Sequence, residues 1–404
     1  MVSETIEVKG HIIDSLILPK VMDEIMDSDG SFEILEIQIG QEKTQPSRAL
    51  LRVEAPTQQR LEDLLRRLSR LGAVPLESQD AQLFRAARNG VFPEEFYATT
   101  NLPTSVRLKG RWRRVSRIEM DCGIVVDRRR CRAECVPMYR VKRGQWVVCG
   151  HDGVRVSPLE RARTRDVFQF MGSAVSSERP KARIVGDLAA EMRRMKKDGE
   201  RILVVGGPAI IHTGGGPYLE RLIRNGYVQV LFAGNGLATH DIEAALFETA
   251  LGIDLVKGVA AKDGHDHHLR AINTIRACGG IRQAVRSGRL TRGVMHSCVT
   301  GKIPFVLAGS IRDDGPLPEV VTDVLVAQER MRKHIRGLGL ALIISSMLHG
   351  IATGNILPAT VKTVCVDINP AVVTKLADRG TFQGVGIVSD AASFLRELSA
   401  ALRV

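Results

Sequence analysis

The stretch LALIISSMLHG (residues 340–350) and, after a short gap, TVCVD (residues 363–367) decide the fold. Each contains an unbroken run of Val, Leu, Ile, Ala or Cys, over 340–344 and 364–366. That pattern marks a strand buried on both faces of a parallel sheet. The first run ends at Ser345 and Ser346, the second on Asp367. An acidic residue about 20 positions after a phosphate-binding turn is where a dinucleotide fold receives the adenosine ribose hydroxyls. Ser346, Met347, Leu348 and His349 are therefore expected to border a bound dinucleotide, with Asp367 at its ribose. A carboxylate there repels a 2′-phosphate, so NAD is favoured over NADP. The Gly-x-Gly-x-x-Gly fingerprint is absent, and the competing reading is that Asp367 closes its strand and caps the next helix.

Strand and helix patterns alternate outward from this centre. Apolar strands at 202–205 and 228–232, helices from about Ile242 to Leu251 and across 268–278, and a closing helix from Ala391 predict an open, mostly parallel sheet covered on both faces. Gly-rich turns are expected at 206–216, 234–241 and 383–390. Ligands of such sheets bind beyond the carboxyl ends of the strands, where glycine lets backbone approach phosphate. Asn235 and Gly236 in the second turn, and Gly386 and Asp390 in the third, join the expected cofactor contacts. The fold class is α/β, with a Rossmann-like NAD-binding and catalytic domain over 176–404.

The N-terminal part reads differently. Residues 5–10, 31–40 and 49–55 alternate as half-buried strands, 18–26 and 57–72 have helical spacing, and a last strand is expected near Val74 and Pro75. The order β-α-β-β-α-β predicts a ferredoxin-like α+β domain over 1–95. Short alternating strands between glycine turns predict a small β-rich unit with a connector over 96–175.

Hydrophobic residues make up 44% of 404, but aromatics only 4%, so aliphatic side chains must build the cores. No run approaches the roughly 20 apolar residues of a membrane span, and the N-terminus lacks a signal-peptide pattern. Seven cysteines, an odd number, fit free thiols in a reducing, cytoplasmic setting. Cys131 and Cys135 are expected to be two packed thiols. The net charge of +12 is uneven: residues 106–143 hold 13 Lys or Arg against 4 Asp or Glu. With no nucleic-acid motif beside it, this segment reads as a solvated basic surface, and no nucleic-acid or membrane partner is expected.

Titratable residues crowd two segments. Residues 261–273 hold Lys262, Asp263, His265, Asp266, His267, His268 and Arg270; residues 296–317 deliver Arg312, Asp313 and Asp314 to a Gly-Pro turn. Both suit acid/base work or the binding of a charged substrate. The spacing matches no metal-ligand pattern, so no metal is expected. Solvated loop and capped turn are the competing readings.

Five blocks then carry a resemblance: EEFYATTN (94–101), GPAIIHTG (207–214), FAGNGLATHDI (232–242), HHLRAIN (267–273) and LAGSIRDDGPLP (307–318). Together they resemble the archaeal-type ornithine cyclodeaminase family, a module also similar to a conserved region named after lysine-ketoglutarate reductase/saccharopine dehydrogenase and to the C-terminal half of cyanobacterial arginine dihydrolase/ornithine cyclodeaminases. The resemblance implies conversion of L-ornithine to L-proline and ammonia on a bound, recycled NAD, within proline and ornithine metabolism, by a homo-oligomer. It implies no action on arginine, because a guanidine-hydrolysing domain is missing. Asp314 and Lys262 become candidates for proton handling, with Asp314 also placed against the cofactor, and Arg270 or Arg312 for clamping the substrate carboxylate. An NAD-dependent amino-acid or opine-type dehydrogenase, and a ligand-sensing or RNA-binding module, are the alternatives.

Overall fold

A computed structural model describes residues 1–13, 15–42, 45–76, 79–157, 181–250, 253–254, 266–313, 315–378 and 384–404. The chain divides into two compact units, one within Met1–Gln169 together with Pro358–Thr360, the other within Phe170–Leu357 and Val361–Val404.

The first unit opens with β1 (Val2–Gly10), α1 (Ile17–Asp27), β2 (Ser31–Gln38), β3 (Ser47–Ala55), α2 (Gln58–Arg70) and β4 (Val74–Pro75). Its antiparallel sheet has the order β2-β3-β1-β4, the ferredoxin-like arrangement. The alternation seen in the sequence explains it: Ile6 and Val8 of β1 and Ala49, Leu51 and Val53 of β3 are buried in one core with Leu18, Val21 and Ile25 of α1 and Leu61, Leu64 and Leu68 of α2. Thr57 caps α2, its side chain accepting from Arg60 N at 3.3 Å. β2 departs from expectation: it is an edge strand, and Ile34, Leu35 and Ile37 stay exposed.

The β-rich part follows as β5 (Gln82–Arg85), β6 (Thr104–Leu108), β7 (Arg111–Ser116), β8 (Gly123–Asp127), β9 (Arg132–Val136), β10 (Trp146–Cys149) and β11 (Val154–Val156). They form one sheet in the order β11-β6-β7-β9-β8-β10-β5. Because β5 pairs with β10, this sheet begins near residue 82, ahead of the boundary expected at 95. The expected thiol pair is also rearranged. Cys135 is buried against Cys122, whose thiol hydrogen bond leads the effects that lower its pKa, while Cys131 sits half-exposed in the β8–β9 turn.

In the second unit, α3 (Lys181–Asp198) precedes β12 (Arg201–Gly206), α4 (Ala209–His212), α5 (Gly216–Arg224), β13 (Val230–Gly234) and α6 (Asn235–Phe247). A short pair, β14 (Thr249–Ala250) and β15 (Ile253–Asp254), leads to α7 (His267–Cys278), α8 (Ile281–Arg286), α9 (Val294–Thr300), β16 (Phe305–Ala308), β17 (Val320–Val321) and α10 (Val324–Arg332). The rest is β18 (Leu338–Ile344), α11 (Met347–Ile356), β19 (Lys362–Asp367), α12 (Pro370–Asp378), β20 (Gly384–Val388) and α13 (Ala391–Leu402). Seven strands form a parallel sheet in the order β17-β16-β13-β12-β18-β19-β20. The central strands are apolar on both faces because helices cover both; Leu203, Val204, Val205, Leu342 and Val364 are each at most 1% exposed. This is the Rossmann-like sheet anticipated from the sequence. Two expected turns are regular structure instead: 235–241 is the start of α6, and 384–388 is β20. Among the described residues no helix is long and apolar enough to cross a membrane.

Candidate functional site

The chain leaves β12 toward β13, β16 and β17 on one side, and from β18 it continues to β19 and β20 on the other. Where strand order reverses between neighbouring parallel strands, the two following loops part and leave a crevice beyond the carboxyl ends. The crevice is present here, with a volume of about 640 Å³, bordered by Gly206–Pro208 after β12 and by Ser345–His349 after β18. Its floor is tight. Gly207 N donates to Ile344 O at 2.9 Å, and a Cβ on Gly207 would overlap the Ser345 carbonyl oxygen. Ser345 itself is held at φ 49°, the left-handed region that costs a non-glycine residue energy and tends to persist at functional turns.

Two helices start at the crevice with little or no intervening loop. α6 begins at Asn235 directly after β13, and α11 begins at Met347 two residues after Ser345. First-turn amides have no acceptor within a helix, and the helix dipole makes that end attractive to anions. Asn235 is buried, and its Oδ1 accepts from Leu317 N at 3.1 Å and Thr239 Oγ1 at 3.2 Å. That leaves its amide hydrogens for a ligand. Gly234 is required by packing, since a Cβ there would lie 2.9 Å from His349 Cε1. His349 Nε2 donates to Ala308 O at 3.3 Å, and burial pushes the imidazole pKa down, keeping the ring neutral. Met347 and Leu348 are exposed apolar residues on this rim, Leu269 and Ile272 are apolar on the α7 side, and Arg312 reaches the crevice from the loop after β16. Aimed helix N-termini, an amide donor and apolar walls in this volume fit a dinucleotide.

Opposite the glycine turns stand three histidines, His212, His240 and His268. The rings of His212 and His240 meet edge to face with centroids 4.5 Å apart, and His268 lies 6.4 Å from His240. Burial, and then the neighbouring His240, lower the His212 pKa to about 4. Behind His240 is Glu243, 0% exposed, 2.8 Å from its Nδ1. Among the described residues no group of three His, Cys, Asp or Glu is placed to hold a metal.

Of the residues singled out in the sequence, Asn235, Gly236, His268, Arg312, Asp313, Ser346, Met347, Leu348 and His349 border the crevice. The structure places others elsewhere. Arg270 is exposed on α7 and paired with Asp266 at 2.9 Å. Asp367 ends β19 and accepts from Asn369 N at 2.9 Å, closing its own turn. Gly386 lies inside β20 opposite Cys365, and Asp390 caps α13 by accepting from Ser393 N at 2.8 Å. None of these four borders the crevice as described. Asp313 spends its carboxylate on Ser310 N at 2.8 Å. Lys262 and Asp314 lie outside the described residues. Sequence reading passed over His212, His240 and Glu243. The signal was available: once 235–247 is read as helix, His240 and Glu243 stand at i and i+3 on one face.

The chain matches three family models in succession: the LOR/SDH bifunctional enzyme conserved region over residues 3–102, the first C-terminal region of ArgZ-like arginine dihydrolases over 103–185, and their C-terminal Rossmann-fold region over 186–398. A relative from Methanothermobacter thermautotrophicus named ornithine cyclodeaminase is 52% identical over 396 residues, 98% of this chain and 96% of the relative. The solved apo structure of cyanobacterial ArgZ, an arginine dihydrolase, superposes with a TM-score of 0.85 at 40% identity over 100% of this chain, which spans 58% of the ArgZ chain. The structure of AgrE in ternary complex with ornithine and NAD+ matches with a TM-score of 0.54 at 43% identity, again over 100% of this chain and 58% of the other.

Proposed function

We propose that this chain, which belongs to the ornithine cyclodeaminase family shared by archaea and the C-terminal parts of the cyanobacterial ArgZ and AgrE proteins, converts L-ornithine to L-proline and ammonia with NAD. The observation that carries the reading is the crevice at the strand reversal, where two helix N-termini face three histidines and an arginine. NAD, when bound, supplies a hydride acceptor for the carbon bearing the α-amine and returns the hydride to the cyclic imine, so the nicotinamide is regenerated in every turnover.

The chain's residues have separate tasks. The first-turn amides of α11 would suit the pyrophosphate of NAD, and the Asn235 amide would be a donor for its nicotinamide or ribose. Arg312 holds the substrate carboxylate through paired N–H donors, which fixes the orientation of the α-carbon. Leu269, Ile272, Met347 and Leu348 exclude water, which protects an imine from hydrolysis. Asp314 and Lys262 enter as further proton-handling candidates on sequence grounds alone.

The test is direct. Protein supplied with NAD and L-ornithine should yield proline and ammonia in equal amounts without net accumulation of NADH. Accumulating NADH with an open-chain keto acid product would show a dehydrogenase in its place.

A further inference from the structure

A line of hydrogen bonds runs from the crevice wall into the interior, and its donors follow from counting protons. Thr249 Oγ1 donates to Glu243 Oε1 at 2.9 Å. A hydroxyl has one proton, so at its other contact, 2.9 Å from His267 Nδ1, it accepts, and His267 carries a hydrogen on Nδ1. His267 is fixed at this far end by stacking on Phe247, with ring centroids 4.9 Å apart at 25°. The carboxylate form of Glu243 only accepts, so His240 Nδ1, 2.8 Å from Oε2, is a donor too. Neutral His240 therefore keeps its lone pair on Nε2. A ring at the wall of a ligand crevice, its Nδ1–H held by a fully buried carboxylate, is an oriented base.

We infer that His240, positioned by Glu243, carries the proton between the two nitrogens of the substrate. The inference rests on the cyclodeaminase reading. In that reaction the δ-ammonium must lose a proton before its nitrogen can attack, and the α-nitrogen must gain one before it can leave. His240 Nε2 takes the proton from the δ-ammonium. The freed lone pair forms the ring N–C bond to the α-iminium carbon. Nε2–H then protonates the α-nitrogen, the ring nitrogen passes its second hydrogen to Nε2, and the C–N bond to the α-nitrogen breaks with its electron pair leaving on ammonia. One imidazole serves each transfer, because both nitrogens are bonded in turn to the same carbon.

The surroundings agree. The groups around His240 are His212 from α4, Glu243 from its own helix and His268 from α7, while Arg312 and Asp313 line the same crevice. Asp241, next in the chain, turns instead to the amides of Val294 and Met295. His212, neutral down to about pH 4 through burial, adds no positive charge beside an imidazolium.

The experiment compares His240→Gln, Glu243→Gln and the parent protein, each with NAD. Glu243 acts only through His240, so its variant is read on the pH profile. For His240→Gln, kcat for proline formation should fall ~10²-fold or more, the scale of a lost acid/base group, with NAD affinity within about 2-fold. For Glu243→Gln, kcat should fall about 10-fold, and the acid limb of kcat/KM should move to lower pH, because the imidazolium loses its charge partner. A purely structural Glu243 would lower the melting temperature and leave that limb in place, which overturns the positioning role. Should Glu243→Gln not fold, nitrogen-resolved NMR of the parent decides: a Nδ1–H tautomer whose Nε2 responds to ornithine is expected, and a Nε2–H tautomer overturns the assignment. Proline formation with an unimpaired His240→Gln defeats this inference alone. A parent protein that makes no proline defeats the activity, and the ring tautomer then still decides whether His240 is a base.

Discussion

Arg111, Arg113 and Arg114 on β7 and Arg128, Arg129 and Arg130 in the β8–β9 turn of the first unit have their side chains in water; in the second unit His212 and His240 are partly shielded from water and Asp241 and Glu243 are buried. The first group outnumbers the second and dominates the net charge, yet its interactions, like those of the arginines beside it, are weak. Arg117 pairs with Glu134 at 2.7 Å while 66% and 41% exposed, and Arg85 and Arg128 each lie 4.7 Å from the ring centroid of Trp146. Such contacts contribute at most about 1 kcal/mol each. In the second unit the groups are few, but His240, Asp241 and Glu243 each have a fixed hydrogen-bond partner, and low dielectric strengthens every one of those bonds. Burial with a defined partner, more than density of charge, separates a site from a surface.

The comparison breaks most decisively at the crevice floor. Gly207→Ala puts a Cβ onto the Ser345 carbonyl oxygen, a Cβ is fixed by its own backbone, and the oxygen is a main-chain atom that cannot rotate away. We expect a stability loss of about 3 kcal/mol, at the upper end for overpacking, with NAD affinity reduced ~100-fold as the two loops part. Chemical denaturation and cofactor titration measure both. A variant with parental stability would mean that the loops yield cheaply, and that the close approach is not what shapes the crevice.

What the sequence disclosed follows the same division. The strands of both units were legible because burial imposes a period: continuous apolar runs at 340–344 and 364–366, alternation at 49–55. The ferredoxin-like order followed from two amphipathic helices set between such strands. The crevice was legible only in part. Asn235, Ser346 and His349 sit at the helix starts that follow strands, where topology alone puts ligands. Asp367 and Asp390 occupy equivalent positions but close local turns, and only side-chain geometry separates the two cases. His240 and Glu243 were hidden because glycines at 234 and 236 read as a loop, while the chain starts a helix there. Gly236 is tolerated in that helix because α6 packs against α4, α7, α9 and β13, and tertiary packing outweighs propensity.

A smaller effect sharpens the comparison within the second unit. Asp241 accepts from Val294 N and Met295 N, both at 2.8 Å, and holds the start of α9. Asp241→Ala strands two buried amides and should cost about 2 kcal/mol. The pH dependence carries a sign. Burial raises the Asp241 carboxyl to about 7 from an ordinary 3.8, so the folded state binds its proton more tightly than the unfolded state does. Its contribution to stability is complete below about pH 4 and is lost as pH rises toward 7. Asp241→Asn, which cannot titrate, should remove that slope from a plot of unfolding free energy against pH. An unchanged slope would show that another group titrates there.

The smallest effect is expected where charge is densest. Reversing Arg128, Arg129 and Arg130 to Glu takes the net charge from +12 to +6, since each of three changes removes two units. Little is there to lose. The turn they occupy is built by Asp127 Oδ1 accepting from the backbone N–H groups of Arg129 at 3.0 Å and Arg130 at 3.1 Å, and those bonds survive any side-chain change. Arg128 forfeits its place over Trp146, worth about 0.5–1 kcal/mol at an exposed site. Arg130 gives up a 3.9 Å contact with Asp127 in which the partners are 74% and 48% exposed, and water already screens it. We expect the melting temperature to fall by a few degrees at most, and proline formation from ornithine to stay within a few-fold of the parent, with the difference shrinking as salt is added. A collapse of turnover in a folded variant, persisting at high salt, would place these guanidinium groups in the chemistry and dissolve the contrast between the two regions. Retained turnover that weakens only at low salt would leave them a long-range influence on how charged molecules approach.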